Sequence, residues 1–520
     1  MKLKRVLLGL LILISAIGYS QKNQIQVQTN EKEFGTSFID NSVITGIEYV
    51  FPERIHKIFL DTTTNFLTVQ LRDLNRSGKW LNNKGNIVQY DLKNQIVLWS
   101  KKIAYQMSSL QQFNRTMIYT IGEQSFCLDV HTGNEIWEVK NNIYFVDPIY
   151  NIGIGYKFKY TAGYSNELEG INLTNGNKLW KRNLNREYGW NDVFYINDST
   201  IIVVAAGLHS INIKTGKGWD YNTITGEKDY SGTVAANALG VVAGLLTGTF
   251  MMSTGYNLVL DLVSNTIVDS TSIYFASKEQ LVKLNKQSGK ISWTFQFPKN
   301  VASKSSIFVK DSILFMVNKG IAFMGQRQLD YGESFFAAFN KNTGKQIFLS
   351  FINTKNAPIL SLKIHNNEMV LVLKNQIAKY SMETGNEIII KEFQKDNFGE
   401  LNFFIGNQVF ITSQNGDLLN LRNSDTTKMY VFTNQDKILS IDENLDVTNI
   451  FNYKDLSINY LHTKDLDFIK NDTNTIIIDS DGKNIAKIET NSNSFIRNDT
   501  LYNIQDKRLI KIGLNAIMKY

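Results

Sequence analysis

A short unit recurs along this chain of 520 residues. It consists of an apolar strand ending in Leu-Asp or Ile-Asn, two residues, Thr-Gly, three residues and Trp. One version, residues 273–295, reads IYFASKEQLVKLNKQSGKISWTF. Residues 273–276, 281–284 and 291–295 carry apolar side chains at alternate or adjacent positions, the pattern of three short antiparallel strands. Gly289 falls where the second turn needs a positive φ, which glycine adopts without steric cost. Trp293 follows four residues later.

Further copies have turn glycines at Gly133, Gly176, Gly216, Gly344 and Gly385, followed by Trp137, Trp180, Trp219, Phe348 and Ile389. An earlier copy, residues 90–99, ends in Trp99 and has Lys93-Asn94-Gln95 in place of the glycine turn. Gly133, Gly176 and Gly216 lie 43 and 40 positions apart, and Gly344 and Gly385 lie 41 apart. A period near forty residues gives room for four strands and their turns, one propeller blade. A parallel α/β arrangement would need amphipathic helices of about 10–15 residues between strands, and no such runs occur. Beyond residue 395 the pattern thins; residues 418–430 fit as an eighth unit, with 438–450 competing with it or following it. The expected fold class is therefore all-β, a single eight-bladed β-propeller of four-stranded blades.

With 43% hydrophobic residues, 12% aromatic residues and only 4 prolines, the composition suits one ordered body. At the start, Lys2, Lys4 and Arg5 precede an apolar run over residues 6–17 and the small residues Gly18 and Ser20. This order reads as a signal peptide over residues 1–20, with an apolar run too short for a permanent membrane span. No cysteine adjoins the cleavage point, so no lipid anchor is expected. The expectation is an exported chain, periplasmic or extracellular, with residues 21–50 an N-terminal arm or a strand that helps close the ring. Residues 51–520 form the propeller, with an apolar insertion near 230–255.

A formal net charge of +7 is mild for this length, and without a Lys/Arg block it gives no sign of nucleic-acid binding. Cys127, the single cysteine, has no partner for an internal disulfide and reads as a small buried hydrophobe in a repeat strand.

The repeat resembles that of the pyrroloquinoline-quinone-type propellers, a superfamily that includes quinoprotein alcohol dehydrogenases and the barrel-assembly scaffold of the outer membrane. The resemblance covers most of residues 85–395. It implies that Trp99, Trp137, Trp180, Trp219 and Trp293 lock neighbouring blades together, with Phe348 and Ile389 substituting in later units. It also implies, for the dehydrogenases, an adjacent cysteine pair, calcium-binding acidic residues and a tryptophan floor. A chain with one cysteine cannot form that vicinal disulfide, and it has no Cys-x-x-Cys-His haem site. No cofactor or metal is expected.

Nor do the remaining residues spell out a catalytic centre. His56, His131, His209, His365 and His462 are scattered, without a zincin motif, and no Gly-x-Ser-x-Gly elbow or phosphate-binding loop occurs. Asp479-Ser480-Asp481-Gly482 resembles half of a calcium loop but lies between two apolar strands, as an Asp-Gly hairpin turn does.

One stretch departs from the repeat. Between Asp229 and Asp261 there is no charged residue, and Ala236, Gly240, Gly244 and Gly248 recur at every fourth position. On a helix they would form a smooth face for close backbone approach. The stretch either packs on the propeller's own side or docks a partner or membrane surface, in which case Val234, Leu239, Gly240, Gly244, Leu245 and Gly248 are the candidate contact residues. The expected function is that of a non-catalytic, monomeric scaffold in the bacterial cell envelope that binds an envelope protein. A quinone- or calcium-dependent dehydrogenase and a carbohydrate-binding or sensor propeller are the alternatives.

Overall fold

A computed structural model describes residues 25–517, apart from 106–107, 114–115, 122–123, 160–162, 185–189, 191, 206, 223–227, 230–257, 262–263, 278, 325–326, 354–357, 406–407, 414–417, 423–427, 458–460, 464–465, 471–472 and 480. The described residues are strands joined by tight turns, with helical turns at Lys395–Phe398 and Leu514–Ala516. The architecture is all-β, with many four-stranded antiparallel sheets arranged as propeller blades, beside two six-stranded sheets and one of nine strands among the described residues. The chain divides into two compact units: Met1–Gly153 with Asn172–Asn177 and Ser457–Tyr520, and Ile154–Ile171 with Lys178–Leu456.

In the first unit, β1 (Gln28–Ser37) and β2 (Val43–Val50) precede a blade of β3 (Ile55–Asp61), β4 (Phe66–Leu71), β5 (Lys84–Asp91) and β6 (Ile96–Ala104), paired antiparallel in chain order. Strand alternation places Leu67, Val69 and Leu71 of β4 in one core with Val88, Tyr90, Tyr49, Phe51 and Leu509. The opposite face of β4 is buried too, and there Thr68 donates a hydrogen bond to Gln89. A strand covered on both faces reads as a near-continuous apolar run. Thr116–Ile121 in the first unit, and Thr200–Val204 and Glu368–Val372 in the second, show this pattern.

The residues expected to be an arm or a strand form β1 and β2. Strand β2 pairs with Arg508–Gly513, near the end of the chain, and joins the last three strands as a fourth. Strand β1 lies between β2 and Asn484–Ile488, which fuses two strand sets into a nine-stranded sheet. Glu48 of β2, 2% exposed, ties this seam. Its carboxylate meets Lys32 Nζ of β1 at 2.5 Å and Arg508 Nη1 of the last strand at 3.3 Å.

Within the second unit, residues 273–295 adopt the expected three strands, Ser272–Ala276, Gln280–Asn285 and Ile291–Gln296, with Ile267–Val268 as the fourth. The C-terminal part of this unit resolves the two competing readings. Lys437–Ile441 and Val447–Ser457 form the strand–turn–strand pair. Leu418–Arg422 instead pairs with Gln408–Ser413, and Met429–Thr433 pairs with Lys437–Ile441.

A single turn geometry generates the repeat. Asn285 Oδ1 accepts hydrogen bonds from the backbone N–H of Gln287 (3.1 Å) and Ser288 (2.9 Å) and from the Ser288 hydroxyl (2.9 Å). The Gly289 N–H then reaches the Asn285 carbonyl at 2.9 Å. Asp129, Asn212 and Asn340 do the same from equivalent positions, and Ser381 does so through its hydroxyl. At Gly289 the backbone has φ +66°, and a Cβ there would lie 2.4 Å from the indole of Trp219. Glycine is required at this position both by the left-handed conformation and by the lack of room. The same contact recurs between Trp99 and Gly133, Trp180 and Gly216, and Trp293 and Gly344, while Phe348 takes the place of tryptophan against Gly385.

Candidate functional site

The chain has seven tryptophans, and six of them donate their indole N–H inside the fold. Trp99, Trp137, Trp180, Trp219 and Trp293 donate to the carbonyls of Val130, Leu173, Ile213, Lys286 and Lys341 at 2.7–3.1 Å. Trp190 donates to the Tyr156 hydroxyl. These indoles satisfy their one donor while packing a large apolar ring against the next turn. The seventh, Trp80, is 73% exposed.

Trp80 sits on the connection between β4 and β5. In an antiparallel meander this connection lies at the same end as the entry to the first strand, so residues 72–83 meet residues 51–55. The connection is itself a small hairpin, closed by a bridge between Leu74 and Leu81. Asn75 organises its tip. Its Oδ1 accepts from the Ser77 hydroxyl (2.7 Å) and backbone N–H (3.2 Å), and its own N–H donates to the Trp80 carbonyl at 2.6 Å. The Asp73 carboxylate accepts the Arg54 N–H at 2.8 Å and the Asp73 carbonyl accepts the Asn82 N–H at 2.7 Å, pinning the hairpin to the start of β3.

Between these segments lies an open groove of about 570 Å³ lined by Arg54, Ile55, His56, Arg72, Leu74, Lys79, Trp80 and Leu81. Arg72 is fixed from behind. Its Nε donates to the Asn82 carbonyl at 2.5 Å, and its guanidinium lies over the Tyr105 ring, 4.9 Å from the centroid. Arg54 is paired with Asp506 at 3.3 Å, and Lys507 approaches Asp73 at 3.9 Å. Arg72 and Lys79 have no carboxylate at ion-pairing distance among the described residues. His56 packs edge-on against Tyr105. Burial, followed by the charges of Arg72 and Lys57, holds its imidazole below the ordinary histidine pKa.

The other residues singled out from the sequence occupy separate places. His131 lies in the turn of its repeat, its ring edge-on to Phe66 and its N–H donating to Asp129. His209 is buried, with Nδ1 at 2.7 Å from the Asp220 carboxylate and Nε2 at 2.7 Å from the Ala205 carbonyl. Arg182 Nη2 meets the same Asp220 oxygen at 2.5 Å. His365 is buried at the end of Ser361–His365, where burial and the nearby Lys363 and Lys379 lower its pKa. His462 belongs to the short strand Leu461–His462.

Cys127 is buried in Gln124–Leu128, and desolvation with the nearby Asp129 pushes its thiol up to about 11. Asp479 directs its Oδ1 to the N–H groups of Asp481 (3.0 Å) and Lys483 (2.8 Å), closing a hairpin turn. Among the described residues no group of three or more His, Cys, Asp and Glu gathers around a metal-sized site. The candidate contact residues Val234, Leu239, Gly240, Gly244, Leu245 and Gly248, and residues 1–20, lie outside the described residues.

No protein-family model and no curated protein sequence matches the chain. Solved structures do match. BamB from Moraxella catarrhalis is 11% identical, with 73% of this chain and 96% of that one covered and a TM-score of 0.31. The quinohemoprotein alcohol dehydrogenase ADHIIG from Pseudomonas putida HK5 is 8% identical over 76% of this chain and 71% of its own, with a TM-score of 0.29. The β-propeller domain of Cps50 (Swd1) from Myceliophteria thermophila is 8% identical over 78% and 100%, with a TM-score of 0.24. At such identities none of the three lends its activity to this chain.

Sequence reasoning did not find the Trp80 groove, although a signal was present. Trp80 follows no turn of the Asx–Thr–Gly type, and it sits in a polar run, Asn75-Arg76-Ser77-Gly78-Lys79, with no apolar strand for it to belong to. An out-of-register tryptophan in a polar loop is a candidate for the surface.

Proposed function

We propose that this chain is an exported propeller of the quinone-like repeat type, acting as a monomeric, non-catalytic, protein-binding scaffold in the bacterial cell envelope. The observation that carries the reading is the commitment of the repeat tryptophans. A quinone floor needs an open indole face, whereas here the indoles pack on the turn glycines of the following repeats and donate their N–H groups to carbonyls. The buried chemistry points the same way. Cys127 is held as a protonated thiol, and His209 is clasped between Asp220 and Ala205. Export rests on the basic and apolar order of residues 2–17.

In this reading the uncharged stretch containing Val234, Leu239, Gly240, Gly244, Leu245 and Gly248 contacts the partner or the adjoining membrane surface. The test is affinity capture of the tagged mature chain from its native envelope after mild cross-linking, with Gly244→Arg as the paired control. Recovery of one envelope protein by the parent, and its loss from a folded Gly244→Arg chain, supports both scaffold and contact. Failure to recover a partner, together with calcium or a quinone retained through purification, sinks the proposal in favour of a dehydrogenase.

A further inference from the structure

Resting on the protein-binding reading, we propose that the groove between Arg72 and Trp80 is a peptide site. It takes an extended acidic segment, with an aspartate or glutamate carboxylate on Arg72 and a neighbouring apolar side chain against Trp80, Leu74 and Leu81. Three observations converge on it.

The first is Trp80 itself. Six tryptophans satisfy their N–H within the fold, whereas the seventh is 73% exposed on a hairpin whose other bonds hold it in place. An aromatic anchor presented by a rigid loop loses little conformational freedom when it is covered, and tryptophan and arginine dominate the energetics of protein contacts.

The second is charge. Arg72 is oriented by its Nε bond to Asn82 and by the Tyr105 ring, leaving the terminal nitrogens of a planar fork, which suits a carboxylate. Lys79 adds a second unpaired cation on the same lining. Asp73 and Asp506 already face Lys507 and Arg54, and the lining itself carries Arg54, Arg72 and Lys79 and no carboxylate.

The third is what the lining lacks. Sugars are recognised by carboxylates and side-chain amides placed to bond hydroxyls. The groove offers cations and apolar side chains but no carboxylate or amide among its lining residues. Ile55, Leu74 and Leu81 add apolar lining, and Arg54, Arg72 and Lys79 are too few to follow a nucleic-acid backbone, which needs a longer cationic track.

The test uses the mature chain and a fluorescein-labelled, end-blocked hexapeptide of aspartates and leucines with one phenylalanine. The comparison probes are the same peptide with lysine for each aspartate, and hexathymidylate. Saturable binding of the acidic peptide is expected, weakened about tenfold or more by Trp80→Ala and by Arg72→Gln, and weakened by salt. Trp80 should also become shielded from acrylamide quenching. Because Trp80 is exposed, Trp80→Ala keeps the fold, as circular dichroism will confirm.

Equal binding by the lysine peptide, preference for hexathymidylate, unchanged affinity in both variants, or no saturation at millimolar peptide would each overturn the site. The two proposals fail separately. An envelope partner recovered equally by parent and Trp80→Ala chains leaves the scaffold reading standing and removes the groove from it. Peptide binding without any captured partner retains the groove and removes the envelope role.

Discussion

Trp219 packs on Gly289 and donates its indole N–H to Lys286, 67 residues further along the chain. The corresponding bonds of Trp99, Trp137, Trp180 and Trp293 span 31, 36, 33 and 48 residues. The contact between one repeat and the next is thus conserved in geometry while the chain between its partners doubles in length. The indole contact that joins the repeats is kept across a longer connection.

Replacing residues 230–257 by a short glycine–serine linker is therefore expected to leave the cooperative core intact, with a Tm within about 4 °C of the parent, the shift that ~1 kcal/mol produces at this unit size. Calorimetry checks this. A collapse of the transition by 10 °C or more would mean that the stretch is part of the packed core.

Gly289→Ala puts a methyl group against Trp219 at a left-handed turn position, and Trp219→Ala removes the ring from the same contact. We expect about 1–3 kcal/mol from the first and, because Trp219 is half-buried, about 2–4 kcal/mol from the second. The double variant should cost less than the sum, since the clash disappears with the ring. Denaturant unfolding of the four species reads the coupling, and strict additivity would contradict the contact.

Asn285 holds its turn through one side-chain oxygen. Asn285→Ala should cost about 1–2 kcal/mol, whereas Asn285→Asp should be nearly neutral at pH 7, because Asp129 makes the same bonds in its own repeat. The Asp129 carboxyl lies below its ordinary value. Burial acts against this, but hydrogen bonds from Thr132 and His131 outweigh it. A carboxylate of this kind contributes fully above the unfolded value of 3.8 and loses that contribution as pH falls through its lowered folded pKa. Asn285→Asp should thus steepen the acid limb of the stability profile, and a profile parallel to the parent's refutes the assignment.

The His56 imidazole sits below the usual value of 6.5 through burial and the charges of Arg72 and Lys57. Its neutral form is the one the fold favours, so the unfolded chain takes up a proton first on acidification. Stability from this group is complete above pH 6.5, declines as pH drops through that value, and levels off below the folded pKa. In an NMR titration the His56 midpoint should lie under 6.5 and rise in Arg72→Gln; a midpoint unmoved by that substitution removes Arg72 as a cause.

Cys127, with its thiol pushed up to about 11, should resist Ellman's reagent at pH 8 in the folded chain and react within minutes after denaturation. Stoichiometric labelling of the native protein would show that the thiol is neither buried nor protonated.

The repeat was legible because its determinants are local. An Asx side chain, a glycine with positive φ and an aromatic residue a few positions on specify a turn whatever lies far away, and residues 273–295 fold accordingly. The position without glycine was also readable, as Gln95 takes a φ of +57° in its place. Pairings that bring distant segments together could not be read in this way. No turn signal reveals that Val43–Val50 seeks Arg508–Gly513, or that Leu418–Arg422 turns back on Gln408–Ser413. Trp80 escaped notice for a related reason. Its type suggests a core residue, and the structure instead leaves its ring 73% exposed while the other six indoles donate within the fold.

The seating of β2 beside the final hairpin, secured by Glu48 between Lys32 and Arg508, bears on the order in which the molecule can be made. Strand β2 must wait, unpaired along one edge, until Arg508–Gly513, more than 450 residues later, has left the ribosome. Most repeats can close on their immediate neighbours as they emerge, but this sheet cannot close before Arg508–Gly513 has been made. A chain truncated before Arg508 therefore leaves β2 open as an edge for other chains to pair with.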